Sequence, residues 1–254
     1  MGIGVLVNGA KGKMGREIVL AVQSQPDMEL IAQTDLGDDL SGILRDLKID
    51  VAVDFTHPDC AFRNARLFVE SGKSAVIGTT GFKETELRRL HEMALDKNVG
   101  LLIAPNFCTG AVLMMRFAEE AARFMNSVEV VEMHHTAKVD APSGTAKLTA
   151  DKIAQVWKSR GIDPVKLNKI NEFRGGLVSG IPVHSVRLDG LMARQEVMFG
   201  GDGQTLEIRH NSQSRSCFMP GILQSVRAVR GWKGLVYGLD RLLFAGKDGI
   251  QTGL

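Results

Sequence analysis

The chain has 254 residues, 44% of them apolar, enough to bury one large core or two modest ones, which excludes a disordered segment or a disulfide-stapled miniprotein. Lys and Arg number 31 against 29 Asp and Glu, a net charge of +2 spread along the chain, so charge gives no sign of nucleic-acid binding. No apolar run is long enough for a membrane span or a signal-peptide core, and Cys60, Cys108 and Cys217 form no CxxC pair, reading as reduced thiols of a cytoplasmic protein.

Five short apolar runs, Ile3 to Val7, Met28 to Ala32, Val51 to Val53, Ser74 to Ile77 and Leu101 to Ile103, read as strands, the first with the pattern of a strand buried on both faces. Met14, Ile18, Ala21 and Val22 follow the first at helical spacing, and helix-like stretches cover Cys60 to Val69 and Glu84 to Leu95. Strand and helix alternate through the first 105 residues, the signature of a doubly wound parallel sheet. Polar and glycine-rich residues follow each strand, where ligands bind in such sheets.

Beyond Asn106 the pattern changes to a helix over Val112 to Phe124, a strand over Val128 to Met133, a polar run HHTAKVDAPSGTA and a helix over Thr145 to Trp157. Val183 to His210 alternates apolar and polar residues between glycine turns and reads as antiparallel strands of an α+β domain. Ile222, Val226, Val229, Leu235 and Leu239 recur at helical spacing, predicting helices that return to cover the first sheet.

Gly9-Ala10-Lys11-Gly12-Lys13-Met14-Gly15 joins the first strand to a helix, where glycines let backbone N–H groups approach a pyrophosphate. The spacing is GxxGxxG, weak alone, but Asp35 stands 35 − 15 = 20 residues past the last glycine, at the end of the second strand, placed to accept from ribose hydroxyls. Asp35 followed by Leu36 favours NADH, whereas Lys11 and Lys13 on the glycine loop leave the 2′-phosphate of NADPH within reach. Gly78-Thr79-Thr80 and Ala104-Pro105-Asn106-Phe107 end the fourth and fifth strands as candidate linings of the nicotinamide half, or as ordinary turn chemistry. In the polar run, His134, His135, Lys138, Asp140, Ser143 and Thr145 are dense for a plain loop. Ser143 is a candidate N-cap whose helix start, at Gly144 and Thr145, would take an anion such as a substrate carboxylate, with Lys138 to pair with it or deliver a proton. Adjacent histidines lack the spacing of helical zinc ligands, so no metal is expected.

VVEMHHTAKVDAPSGTA closely resembles the signature E-x-H-H-x-x-K-x-D-A-P-S-G-T-A of the 4-hydroxy-tetrahydrodipicolinate reductase family, formerly dihydrodipicolinate reductase. NGAKGKMG, VAVDFTHP, VIGTTGF, APNF, GIPVHSVRLDG and LEIRHNSQSRSCF extend the resemblance in family order. It departs at Arg194-Gln195-Glu196-Val197, where many members have His-Glu-Val, and at Phe218-Met219-Pro220-Gly221-Ile222, where FAxGA is usual. The resemblance implies an α/β protein with a Rossmann-type dinucleotide domain, residues 1–108 and 216–254, and a central α+β substrate and tetramerisation domain, residues 109–215. It implies a homotetramer that uses NADH or NADPH to reduce a cyclic dicarboxylate, 4-hydroxy-tetrahydrodipicolinate, with loss of water. Matched by position, it makes His134 a proton donor/acceptor, Lys138 a proton donor, and His135, Lys138, Ser143, Gly144 and Thr145 substrate contacts. It makes Gly9 to Met14 (with Ala10, Lys11, Gly12 and Lys13), Asp35, Gly78 to Thr80 and Ala104 to Phe107 cofactor contacts. Two other classes are considered: a Rossmann reductase for a semialdehyde or imine, which has no need of this helix-start anion site beside a His-His-Lys cluster, and a non-catalytic dinucleotide sensor, which would tolerate loss of His134 or Lys138.

Overall fold

The computed structural model describes residues 2–164, 174–246 and 249–253. The chain forms two compact units, one from the chain up to Thr109 together with everything from Phe218 onward, the other from Gly110–Cys217.

The first unit is built on β1 (Ile3–Asn8), β2 (Met28–Thr34), β3 (Val51–Asp54), β4 (Ser74–Ile77), β5 (Gly100–Ile103) and β11 (Gly234–Tyr237). They form one parallel sheet in the order β11-β5-β4-β3-β1-β2, so the winding reverses between β1 and β3, the switch point where such sheets open a ligand crevice. Val5, Leu6, Val7, Val51, Ala52, Val53, Val76 and Ile77 are fully buried because helices flank the strands. The helices are α1 (Lys13–Gln23), α2 (Leu40–Asp46), α3 (Pro58–Glu70) and α4 (Glu84–Asp96). Their starts are encoded locally: Asp39 caps α2 by accepting from the Gly42 N–H, Pro58 opens α3, and Glu86 reaches back to the Lys83 N–H at 2.8 Å. Phe68, Val69 and Leu90 turn inward onto Ile77, Leu101 and Ile103, each full burial contributing roughly 1.5–3 kcal/mol.

At the C-terminus, α7 (Met219–Ala228) packs on α1 and buries Ile222 and Val226. Leu235, expected in a helix, lies instead in β11, which pairs with β5 in register Gly234↔Gly100 to Tyr237↔Ile103. The short α8 (Leu239–Leu243) follows.

The second unit holds α5 (Thr109–Ala121), which begins at its boundary, then β6 (Ser127–His134), α6 (Gly144–Ser159), β7 (Gly176–Val178), β8 (Ile181–Arg187), β9 (Ala193–Gly201) and β10 (Gln204–Ser212). Its sheet runs β10-β9-β6-β8-β7. The expected antiparallel pairing holds for β6 with β9, β9 with β10 and β7 with β8, but β8 lies parallel to β6. Alternation of apolar and polar residues reports a half-buried strand and is blind to direction, which is why this pair reads wrongly from sequence. Val128, Val130, Val183, Val197 and Phe199 are buried, as are Ile153 and Trp157 of α6.

Candidate active site

At the carboxyl edge of the first sheet the polar strand ends are tied to one buried acid. Asp54, wholly buried, accepts from Asn8 Nδ2 at 2.7 Å, Asn64 Nδ2 at 3.0 Å, Thr56 Oγ1 at 2.8 Å and Thr79 Oγ1 at 2.9 Å. Thr34 Oγ1 donates to Asn8 Oδ1 at 2.8 Å, so the ends of β1, β2 and β3 and the segment after β4 share one network. Each donor would be costly to leave unpaired there, which fixes the rim of the crevice.

The glycine loop lies on that rim. Gly9 has φ +83°, and a Cβ on it would fall 2.5 Å from the Phe55 carbonyl oxygen; one on Gly15 would fall 2.0 Å from the Gly9 oxygen. Gly12 caps α1 without a side chain, and Lys13 and Met14 open the helix with N–H groups that have no intrahelical acceptor. Asp35 comes to the same loop: its Oδ2 accepts from the Lys11 N–H and its Oδ1 from the Leu36 N–H, both at 2.8 Å. The Leu36 N–H first and the Lys11 N–H second hold this carboxyl below the usual carboxylate range. Two of its roughly four lone-pair positions remain for ribose hydroxyls. A cleft of about 340 Å³ opens here, lined by Gly9, Gly12, Asp35, Leu36, Phe55 and Thr56 among others. Side-chain-free loop, helix start and half-used carboxylate fit a dinucleotide.

The other residues named from sequence in this unit divide by burial. Lys11, Lys13 and Thr80 are exposed. Gly78 lies under the Phe55 ring, which contacts Phe107 with centroids 5.6 Å apart. Thr79 directs its hydroxyl to Asp54 and also accepts from the Thr56 N–H at 2.9 Å, so its side chain is engaged in the network. Ala10, Ala104 and Phe107 are buried, Met14 is half-buried, Pro105 is exposed, and Asn106 Oδ1 accepts from the Cys108 N–H at 2.8 Å.

In the second unit, β6 alternates so that Val128, Val130, Glu132 and His134 share one face. Glu132 is 1% exposed, and its Oε2 lies 2.5 Å from His134 Nδ1. Arg187, at the end of β8 opposite His134, grips the same carboxylate with both terminal nitrogens, Nη2 at 2.9 Å and Nη1 at 3.1 Å. The Ser143 N–H reaches Glu132 Oε1 at 3.3 Å. Burial alone would raise the Glu132 carboxyl, but bonds from His134, Arg187 and Ser185 prevail and bring it down to about 2.

Strand β6 ends at His134, so His135 begins the loop and is exposed. Lys138 Nζ donates to Asp140 Oδ1 at 2.7 Å, and that bond keeps the Asp140 carboxyl below its ordinary range. The loop is pinned from beneath: Arg187 donates through Nε to the Lys138 carbonyl at 3.3 Å and through Nη2 to the Asp140 carbonyl at 2.6 Å. Ser143 caps α6 by accepting from the Ala146 N–H at 3.2 Å, and Gly144 and Thr145 form the first turn, where the helix dipole favours an anion. His134, Lys138 and Ser143 are thus gathered around one ion pair.

Sequence reasoning missed that pair. A carboxylate continuing the inward apolar face of a strand, and an arginine ending the inward face of another, signal a buried ion pair; counting by two along β6 and β8 finds both.

Family models described as dihydrodipicolinate reductase, N-terminus and C-terminus, match residues 3–107 and 110–243. The chain belongs to the dihydrodipicolinate reductase family. It is 44% identical over 243 residues to the 4-hydroxy-tetrahydrodipicolinate reductase of Coxiella burnetii (strain RSA 493 / Nine Mile phase I), covering 96% of this chain and all of that one. The Nocardia farcinica (strain IFM 10152) enzyme of the same name is 49% identical over 247 residues, covering 96% and 99%. The solved dipicolinate-bound dihydrodipicolinate reductase from Paenisporosarcina sp. TG-14 superposes with a TM-score of 0.84 at 39% identity, covering 94% of this chain and 99% of that one. As a member of this reductase family with a nucleotide-binding parallel sheet, the chain is an oxidoreductase that uses NAD(P)H and acts on a small molecule. Among the described residues no helix is long and apolar enough to cross a membrane.

Proposed function

We propose that the chain reduces (4S)-4-hydroxy-2,3,4,5-tetrahydrodipicolinate to 2,3,4,5-tetrahydrodipicolinate, taking up one hydride and one proton and releasing one water, in the diaminopimelate route to lysine. The observation that carries this reading is the gathering of His134, Lys138 and the α6 start around the Glu132–Arg187 ion pair, within the motif the family shares. The bound nicotinamide supplies the hydride. The first unit is the dinucleotide domain: the N–H groups at Lys13 and Met14 receive the pyrophosphate, Asp35 the adenosine ribose, and Gly78 to Thr80 and Ala104 to Phe107 the nicotinamide half. The second unit is the substrate and oligomerisation domain. His135, Lys138, Ser143, Gly144 and Thr145 bind the dicarboxylate, which matches a loop bearing the Lys138 ammonium and running into a positive helix end. His134 exchanges a proton, and the Lys138 ammonium delivers the proton that completes the reduction. Asp35 with Leu36 suits NADH, and exposed Lys11 and Lys13 suit the extra phosphate of NADPH, so both cofactors serve.

The protein assembles as a homotetramer; the exposed strand residues Leu177, Val186 and Leu206 of the second unit are surface that an oligomer covers. Cys60, Cys108 and Cys217, none of them in a disulfide, accord with a reducing cytoplasm.

The test follows absorbance at 340 nm as NADH or NADPH is consumed, with substrate made in situ by the synthase that condenses pyruvate and aspartate semialdehyde. Synthase-dependent oxidation is expected with both cofactors. Oxidation with neither, while both bind, would overturn the assignment in favour of a dinucleotide sensor.

A further inference from the structure

Glu132 receives more donors than a structural carboxylate needs: two arginine nitrogens, an imidazole nitrogen, the Ser143 N–H and the Ser185 side chain. An ionised carboxylate only accepts, so the imidazole nitrogen that faces it at 2.5 Å carries a hydrogen. With Nδ1 protonated, the neutral ring presents a lone pair at Nε2. The charged groups of this cluster are Glu132, which meets the ring from its own strand, and Arg187 from β8, which meets Glu132 and the backbone of the loop that carries the Lys138–Asp140 pair. Across the sheet β9 brings the uncharged Gln195 opposite Glu132, and the first turn of α6 has no acidic residue. The same arginine that saturates Glu132 also binds the carbonyls of Lys138 and Asp140. Setting of the histidine ring and setting of the lysine loop therefore converge on one carboxylate.

We propose that Glu132 is the positioning residue of this site: it fixes His134 as the Nδ1–H tautomer, so that Nε2 exchanges the proton, and through Arg187 it anchors the backbone that presents Lys138. This deepens the reductase reading above and rests on it for the identity of the reaction. The ion pair contributes orientation where apolar residues of similar volume would serve packing equally well.

The test uses the full chain labelled with 15N-histidine, with the His134 ring signals assigned by their loss in His134→Gln. The wild-type spectrum is expected to show Nδ1 protonated in the neutral ring, and Glu132→Gln to shift the ring toward the Nε2–H form. In the synthase-coupled assay, Glu132→Gln should lower kcat at least ~10-fold with KM for NADH within about twofold, since only proton handling is disturbed. In the His134→Gln background the same change should cost several-fold less than in the wild type, because the route through the ring is already gone and only the anchoring of the Lys138 backbone remains to be lost. A wild-type ring unprotonated at Nδ1 overturns the proposal without any Glu132 variant, should that variant fail to fold. An equal loss of kcat in both backgrounds also overturns it, because it marks a merely structural role. Absence of turnover in the wild-type chain, with Nδ1 protonated, would instead refute the reductase reading and leave the tautomer assignment standing.

Discussion

Acid should weaken the second unit in a way that depends on Glu132. Its carboxyl is 1% exposed and falls from an ordinary 4.5 to about 2 in the folded protein, which corresponds to about 3 kcal/mol of stability. Because the folded value is the lower one, that stability is fully present above the unfolded value and is lost as pH falls from about 5 through about 2. Roughly 1 kcal/mol of it disappears between pH 7 and pH 3.5. Trp157, buried in α6 with its indole donating to the Met125 carbonyl at 2.9 Å, reports unfolding of this unit, and Trp232→Phe silences the other tryptophan. Urea titrations of this variant with and without Glu132→Gln, repeated from pH 7 to pH 3.5, isolate the term. The glutamine variant is expected to be less stable at pH 7 and to close the gap by about 1 kcal/mol at pH 3.5. A gap constant across that range would show that Glu132 does not titrate as a paired buried carboxylate, and the reasoning from its surroundings would be wrong.

Lys138→Ala should lower turnover at least ~100-fold while leaving NADH affinity nearly unchanged, checked by the 340 nm assay beside a fluorescence titration; retained turnover removes the proton-donor role. Asp35→Ala should weaken NADH more than NADPH in the same titration, and equal weakening would discard the ribose contact. Gly15→Ala would place a methyl group 2.0 Å from the Gly9 oxygen, so the first unit should lose about 1–3 kcal/mol and NADH affinity at least ~10-fold; a wild-type Kd would mean the loop is not the pyrophosphate site.

Strands β1, β3, β4 and β5 were legible because both their faces are buried, leaving apolar runs such as Val51-Ala52-Val53, whereas edge strand β2 is only partly buried and showed through Leu30-Ile31-Ala32. Strand β11 was not, because Leu235 and Leu239 stand four apart and mimic a helix face; only the partner β5 makes a strand of so short a run. Helix α2 spans seven residues with Gly42 inside it, too few to display a period. At the site, the glycine loop, Asp35 and the Ser143 cap follow from local chemistry and were readable. Arg187 stands 55 residues from Glu132, and their meeting depends on β8 lying parallel to β6, a strand direction that alternation does not encode.

The insertion of β11 beside β5 sets an order for events at the ribosome. When Ile103 has emerged, its strand has a neighbour on one side only, and the partner for the other side, ending at Tyr237, is 237 − 103 = 134 residues away. At about 5–20 residues per second, roughly 7 to 27 s pass before that partner is synthesised. The nascent sheet meanwhile presents an unpaired apolar edge, the kind of surface that recruits a strand from another chain. Everything from Gly110 to Cys217 can condense during that interval, and the last stretch of translation closes the sheet. A messenger cut short before Gly234 would release a chain whose first unit remains open at β5, a substrate for quality-control proteases.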